Sequence, residues 1–136
     1  MIFNSLYFYL NSNNLITPNQ SGFRPGDSCS NQLFFLVNEI HKAFENPRSL
    51  ELWAVFLDIS KAFDKVWHDG LLFKLKQNGV FGKLLEFFGS YIRGRKQRVS
   101  LNGFNSEYSV IESGVPQGSV LGPLLFWCTL MTSKII

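Results

Sequence analysis

Residues 52–58 restrict the fold more than any other segment, because six apolar residues in a row end in a carboxylate, Asp58. A short, continuous apolar run of this kind (LWAVFLD) predicts a strand that is buried on both faces. Such a strand must be covered by other elements, and the composition can supply them, since 46% of the residues are hydrophobic and 17% are charged. The sequence therefore predicts a packed globular fold with Asp58 at the C-terminal end of a buried strand.

The length of 136 residues suits one domain over residues 1–136, and neither a repeat nor a linker divides the chain. A short helix is predicted within residues 1–12, followed by a loop rich in Asn, Pro, Gly and Ser over residues 13–28. Asp27 or Ser28 then caps a helix that runs to about Asn46 and is ended by Pro47. Its apolar residues share one face: Leu33, Leu36, Val37, Ile40 and Phe44.

Helices and a hairpin are predicted after the strand. Two helical patterns cover residues 69–78 and 83–93, and each is followed by a glycine in the C-cap manner, Gly79 and Gly94. The segments QRVSL and SEYSVI alternate in polarity and are joined by the turn-prone NGFN, which predicts a hairpin. A sharp turn at residues 114–118 precedes a last helix that opens near Ser119. This order predicts an α+β fold with helices packed on a small antiparallel sheet.

Several classes of protein are excluded by the sequence. The longest apolar stretch, residues 120–131, contains Gly122, Pro123 and Thr129 and is shorter than the roughly 18–20 apolar residues of a membrane span. The N-terminal residues lack the positive region and the cleavage site of a signal peptide. Two cysteines are too few for a disulfide framework. We therefore expect an intracellular protein of the cytoplasm or nucleus, neither secreted nor bound to a membrane.

Asp58 and its neighbours are the first candidates for chemistry. A carboxylate at the end of a rigid strand is a usual metal ligand, but the same position would also suit a cap on the turn into a helix near Ser60. If residues 60–66 are helical, Asp64 points away from the metal position and pairs with Lys61 or Lys65. Without further information, Phe63 is expected to be a core residue.

A basic cluster and a glycine-flanked turn are the other candidates. Residues 93–98 (RGRKQR) hold four of the 13 basic residues: Arg93, Arg95, Lys96 and Arg98. They either neutralise nucleic-acid phosphates or form a solvated helix end, where cations suit the helix dipole. The turn GVPQG places Gln117 between Gly114 and Gly118. The two glycines either allow the backbone to approach a ligand closely or simply permit a tight turn.

Four blocks occur in an order that resembles one family. They are QSGFRPGDSC, AVFLDISKAFDKVWHDGLLFKL, YIRGRKQRVSLNG and SGVPQGSVLGPLLF. This order resembles the reverse transcriptase domain of non-LTR retrotransposons of the jockey type, over residues 3–126. The resemblance implies the fingers-and-palm part of a right-hand polymerase. It also implies Mg²⁺ as cofactor, and an RNA template, a DNA primer and deoxynucleoside triphosphates as partners.

The resemblance also implies roles for individual residues. Asp58 matches the first catalytic, metal-binding aspartate of the palm, and Ile59 offers its backbone carbonyl to the same metal. Phe63 matches the aromatic gate that excludes a 2′-hydroxyl by its bulk. Gln117 and Gly118 match the turn that lies along the nucleotide and template. For the basic residues of the 93–98 cluster, the resemblance favours contact with nucleic acid.

A complete catalytic centre is not expected in these 136 residues. The family's other two aspartates form an adjacent pair some tens of residues after the Pro-Gln-Gly turn, whereas the last acidic residue here is Glu112. We therefore expect a polymerase fragment that lacks the Asp-Asp hairpin and the thumb and is inactive alone. The alternatives are a non-enzymatic nucleic-acid-binding remnant that acts through residues 93–98, and a non-functional product of a decayed element.

Overall fold

Helices dominate the computed structural model, which describes residues 1–45 and 51–131. Within these residues the elements are α1 (Ile2–Ser12), α2 (Cys29–Glu45), α3 (His68–Gln77), α4 (Gly82–Ile92), β1 (Lys96–Gln97), β2 (Ser100–Leu101), β3 (Phe104–Asn105), β4 (Ser109–Val110) and α5 (Gly122–Leu130). The expected mixture of helices with a small antiparallel sheet is confirmed. The chain divides into two compact units, one of Met1–Ile16 with Ser60–Ile136 and one of Thr17–Ile59.

The hydrophobic core of the first unit is built from α1, α3, α4 and α5. Helix α3 packs against both α4 and α5. Large side chains that are fully buried come from all four helices: Leu6, Leu10, Leu71, Leu75, Phe88, Ile92, Leu124, Leu125 and Cys128. Burial raises the pKa of the Cys128 thiol to about 12, so this cysteine packs as a small apolar residue rather than acting as a nucleophile. No helix among the described residues has the length and apolarity to cross a membrane.

The predicted glycine after α3 is confirmed. Gly79 has φ +87°, the left-handed conformation that ends many helices. The Tyr9 hydroxyl of α1 donates to the Asn78 carbonyl at 2.9 Å and lies so close that a Cβ on Gly79 would be 2.1 Å from its oxygen. This glycine therefore both ends α3 and leaves room for α1 to dock on that end.

The predicted hairpin is confirmed as well. β2 pairs with β3 and β1 pairs with β4, both antiparallel, with Lys96 opposite Val110 at the open end. The turn residues Asn102 and Gly103 have φ of +49° and +82°, the positive pair that type I′ hairpins require. Between the two strand pairs, the Ser106 hydroxyl accepts from the Val99 amide at 2.9 Å and interrupts the regular ladder.

In the second unit, α2 begins where the sequence predicts but does not bury its apolar face. The Ser28 hydroxyl accepts from the Asn31 amide at 3.2 Å, as an N-cap residue does. Hydrogen bonds from the Ser21 hydroxyl, the Ser28 amide and the Asn31 side chain lower the pKa of Asp27. Of the predicted apolar face, three side chains are exposed and two are half-buried: Leu33, Val37 and Phe44, then Leu36 and Ile40. Asn46 and Pro47, at the predicted end of the helix, lie outside the described residues.

The strand predicted at residues 52–58 is wrong. These residues form neither helix nor strand, and their side chains are exposed, Leu57 by 93%. The physical reason is that strand backbone groups must be paired by a neighbouring strand. Every strand in the described part of the chain pairs within the 96–110 hairpin instead. An apolar run indicates that a segment tends to be buried, but it does not show that a neighbouring strand is available to pair with it.

Phe88 tests whether the helical core carries the stability of the first unit. Its side chain is 0% exposed, whereas Phe8 on α1 is 73% exposed. Phe88→Ala should lower the free energy of unfolding by about 3–5 kcal/mol because it removes a ring and leaves a cavity. Phe8→Ala, the matched control, should change it by less than about 0.5 kcal/mol. Urea denaturation followed by circular dichroism measures both, and equal losses would contradict this core.

Candidate functional site

Two segments of the first unit dock against each other at the candidate site. We call residues 60–66 the site loop and residues 113–118 the site turn. Three hydrogen bonds of 2.8 Å join them, from the Gly114 amide to the Val66 carbonyl, from the Val115 amide to the Phe63 carbonyl and from the Ser113 hydroxyl to the Asp64 carbonyl. These bonds bring Phe63 and the Pro-Gln-Gly segment, which are about 50 residues apart in the chain, into one region.

Gly114 makes this docking possible. Its φ is +90°, and a Cβ added to it would lie 2.8 Å from Asp64 Cα and 2.9 Å from the carbonyl oxygens of Asp64 and Phe63. Contacts that close with backbone atoms exclude any side chain. The close approach that the sequence suggested for this glycine is therefore to the site loop. Gly118 differs, since its φ is +73° but nothing lies within 4 Å of the Cβ position.

Two side chains donate hydrogen bonds to the backbone carbonyl of the same glycine. The Gly114 carbonyl accepts from His68 Nε2 and from Arg95 Nη2, each at 2.8 Å. Because a carbonyl can only accept, His68 carries its proton on Nε2 in this contact. Arg95 also donates from Nε to the Ile92 carbonyl at 3.1 Å. His68, at the start of α3, is buried, so the site turn is fastened to the helical core.

The site loop is a turn rather than the helix that was considered for it. The Asp64 amide donates to the Lys61 carbonyl at 3.0 Å, and Lys61 has φ +54°. The Asp64 carboxylate accepts from Gln117 Nε2 at 2.6 Å. The predicted pairing of Asp64 with Lys61 or Lys65 is therefore wrong. The reason is that the turn aims the carboxylate at the site turn, which no local pattern encodes.

A polar cavity of about 570 Å³ opens beside this contact. Among its lining residues are Lys61, Asp64, Arg95, Gln97, Glu112 and Gln117. Two are cations and two are anions, so the cavity offers donors and acceptors but no strong field of one sign. Gln117, one of the residues singled out in the sequence, lies at this cavity, which suits a polar ligand that forms hydrogen bonds.

Phe63 is half-buried and packs on the last helix. Its ring centroid lies 4.9 Å from that of Phe126 in α5, with the planes tilted by 35°. Phe126 belongs to the half-buried side chains packed on the core. Contact with a ring of α5 fixes the position of Phe63 in the site loop.

Asp58 and Ile59 belong to the other compact unit, Thr17–Ile59, and are both exposed. The geometry described above therefore concerns Phe63, Gln117 and Gly118. Within residues 1–45 and 51–131, no three His, Cys, Asp or Glu side chains converge as a metal site requires.

Three of the four basic side chains of residues 93–98 contact other groups of the chain. Arg93 pairs with Asp69, Arg95 donates to Gly114, and the Arg98 guanidinium lies 5.0 Å from the centroid of the Tyr108 ring. Lys96 is exposed at the start of β1. The cluster is thus partly structural, and Arg95 in particular supports the site turn. Sequence reasoning missed this role and that of His68, whose partner Gly114 is 46 positions away.

The chain belongs to the reverse transcriptase (RNA-dependent DNA polymerase) family, whose sequence profile matches residues 2–134. It is 38% identical to the probable RNA-directed DNA polymerase from transposon BS of Drosophila melanogaster, over 93% of this chain and 14% of that protein. It is 43% identical to the RNA-directed DNA polymerase from mobile element jockey of Drosophila funebris, over 79% of this chain and 11% of the relative.

A third relative is the probable RNA-directed DNA polymerase from transposon X-element of Drosophila melanogaster, 43% identical over 82% of this chain and 12% of its own length. The relatives are thus non-LTR retrotransposon polymerases, as the four blocks predicted. The chain spans between 11% and 14% of the length of these three proteins. No solved structure matches the chain.

Gly114→Ala tests the docking of the two segments, with Gly103→Ala as a matched control. Both glycines have positive φ, but only Gly114 would place its Cβ against backbone atoms. Gly103→Ala should cost about 1–2 kcal/mol of stability from the left-handed backbone alone. Gly114→Ala should cost a further 1–3 kcal/mol, roughly, from the steric conflict. Thermal and urea unfolding measure the difference, and equal costs would contradict the close approach.

Proposed function

We propose that this chain contributes the fingers and the first part of the palm to an RNA-directed DNA polymerase. In this proposal the site loop and the site turn form the face that receives the incoming deoxynucleotide and the template base. The observation that carries it is the docking of the Pro-Gln-Gly turn on the loop that holds Phe63. Hydrogen bonds bring Phe63 and the Pro-Gln-Gly turn into one region, and Gln117 lines a polar cavity there, which supports this proposal.

The surroundings of Phe63 and Gly118 support distinct roles. One face of the Phe63 ring is held by Phe126, so the ring could act as a fixed steric block against a 2′-hydroxyl. Gly118 has open space where a Cβ would stand, which leaves the backbone accessible to a ligand. We propose Phe63 as the sugar gate, and Gln117 and Gly118 as contacts to the nucleotide.

Asp58 and the Ile59 carbonyl are proposed as ligands of Mg²⁺. In polymerases two such ions activate the attacking hydroxyl and stabilise the leaving group of the displacement. The Asp58 carboxylate is exposed and is the kind of hard oxygen ligand that Mg²⁺ prefers. Two oxygen ligands do not complete an octahedral site, and the described residues hold no cluster of three metal-binding side chains. The fit is therefore partial.

The 136-residue polypeptide alone should not polymerise, because Asp58 is the one catalytic aspartate that the resemblance assigns to it. Primer extension with an RNA template, a DNA primer, Mg²⁺ and deoxynucleoside triphosphates should give no template-dependent product. Asp58→Ala is the control and should give the same result. Extension by the unmodified chain that this substitution abolishes would contradict the prediction.

A second function, nucleic-acid binding without catalysis, is favoured by the exposed hairpin. Lys96 and Arg98 lie on or beside β1, and Arg98 is stacked over the exposed Tyr108 ring. Exposed cations with aromatic rings suit a nucleic-acid backbone and its bases. We propose this hairpin as the binding surface if the chain acts as a remnant. Failure to obtain any folded protein would favour the non-functional product of a decayed element.

Lys96→Ala and Arg95→Ala should separate binding from structure. Lys96→Ala should weaken binding to single-stranded RNA and reduce the slope of log K against log salt by about 0.7–1, with stability unchanged within about 0.5 kcal/mol. Arg95→Ala should instead lower the free energy of unfolding by about 1–3 kcal/mol, because it removes the charged donor to Gly114. Fluorescence anisotropy and urea denaturation measure the two effects. If Lys96→Ala leaves RNA binding unchanged, the proposal that the hairpin binds RNA is contradicted.

A further inference from the structure

We propose that Asp64 is a positioning residue that fixes the orientation of the Gln117 side-chain amide, so that Gln117 Oε1 faces the ligand. The proposal rests on the proposed function, in which Gln117 contacts the nucleotide. Neither the four motif blocks nor the charges of the sequence indicate this role. The observation is the hydrogen bond of 2.6 Å from Gln117 Nε2 to Asp64 Oδ1.

The chemistry of the pair determines which way the amide points. An amide can present either its oxygen or its nitrogen, but an ionised carboxylate only accepts hydrogen bonds. Asp64 therefore selects the orientation with Nε2 toward the site loop. Gln117 Oε1, on the other branch of the same amide, is left to accept a hydrogen bond. The matching ligand group is an N–H or O–H donor, such as a nucleobase amino group or a sugar hydroxyl.

Asp64 is itself held firmly enough for this task. Its carbonyl accepts from the Ser113 hydroxyl at 2.8 Å, and its amide donates to the Lys61 carbonyl at 3.0 Å. Gly114 lies against its Cα, close enough to exclude a Cβ. The backbone of Asp64 is thus fixed on both sides, and its side chain has only two rotatable bonds. A short side chain on a fixed backbone orients its partner better than a long flexible one.

Glu112 provides a matched control, because it lines the same cavity and carries the same charge. Removal of an anion near a polyanionic ligand should by Coulomb's law alone strengthen binding. Glu112→Gln should therefore leave affinity unchanged or raise it. Asp64→Asn removes an equal charge but also allows the Gln117 amide to turn over, so positioning predicts weaker binding. If Asp64 orients Gln117, Asp64→Asn should therefore lower the affinity for the ligand, whereas Glu112→Gln should not.

The experiment has two arms on the 136-residue chain. In the first, NMR of ¹³C,¹⁵N-labelled protein measures the scalar coupling across the hydrogen bond from Gln117 Nε2 to the Asp64 carboxyl carbon. The coupling should be present in the unmodified chain and in Glu112→Gln. In the second arm, fluorescence anisotropy measures binding of a labelled RNA–DNA hybrid with a single-stranded template overhang, in the presence of the deoxynucleoside triphosphate complementary to the first unpaired template base. The NMR spectrum of each variant also reports whether it is folded.

Asp64→Asn should weaken binding of the hybrid about fivefold, the effect of one hydrogen bond, and Gln117→Ala should weaken it to the same extent. The double substitution should be no weaker than Gln117→Ala alone. An absent coupling in the unmodified chain overturns the proposal. So does binding by Asp64→Asn that equals or exceeds that of Glu112→Gln while Gln117→Ala is weakened. If the unmodified chain does not bind the hybrid, the proposed function fails, and the coupling alone decides whether Asp64 orients Gln117.

Discussion

The junction at Gly114 is the constraint on which the arrangement of the candidate site depends. Its amide donates to Val66, and its carbonyl accepts from His68 and Arg95. Its missing side chain is what lets the site turn approach the site loop. Each of these contacts uses a backbone atom, so they specify where the chain runs rather than which ligand it binds. The exposed side chains can then differ in chemistry without disturbing the scaffold.

The side chains around this junction differ in their burial. His68 is buried and belongs to a helix of the core, whereas Asp64 and Gln117 are exposed. Arg95 lies within a basic cluster, but two of its N–H groups donate hydrogen bonds to backbone carbonyls. From its charge alone, Arg95 would be interpreted as a contact to nucleic acid. Its hydrogen bonds show instead that it supports the backbone of the site turn. Basic clusters therefore need to be resolved residue by residue before they are interpreted as binding surfaces.

Local signals in the sequence predicted the elements that depend on local physics. The Asn-Gly turn of the hairpin, the glycine after α3 and the Ser28 cap each act within a few residues, and each was confirmed. The errors concern interactions between distant segments. The strand at residues 52–58 required a partner strand, and the apolar face of α2 required a surface to cover it. The pattern of apolar residues indicates that a segment tends to be buried. Which other segment covers it or pairs with it depends on the tertiary fold.

The same distinction applies within the site. The resemblance to a family implied a role for Gln117, but it did not indicate which side-chain atom of Gln117 is left to accept a hydrogen bond. That detail follows from Asp64, which lies 53 positions earlier and reaches Gln117 only because the site loop is a turn and not a helix. Had residues 60–66 been helical, the carboxylate would have pointed away and the amide could have adopted either orientation. The backbone conformation of one loop thus determines whether a motif residue presents a donor or an acceptor.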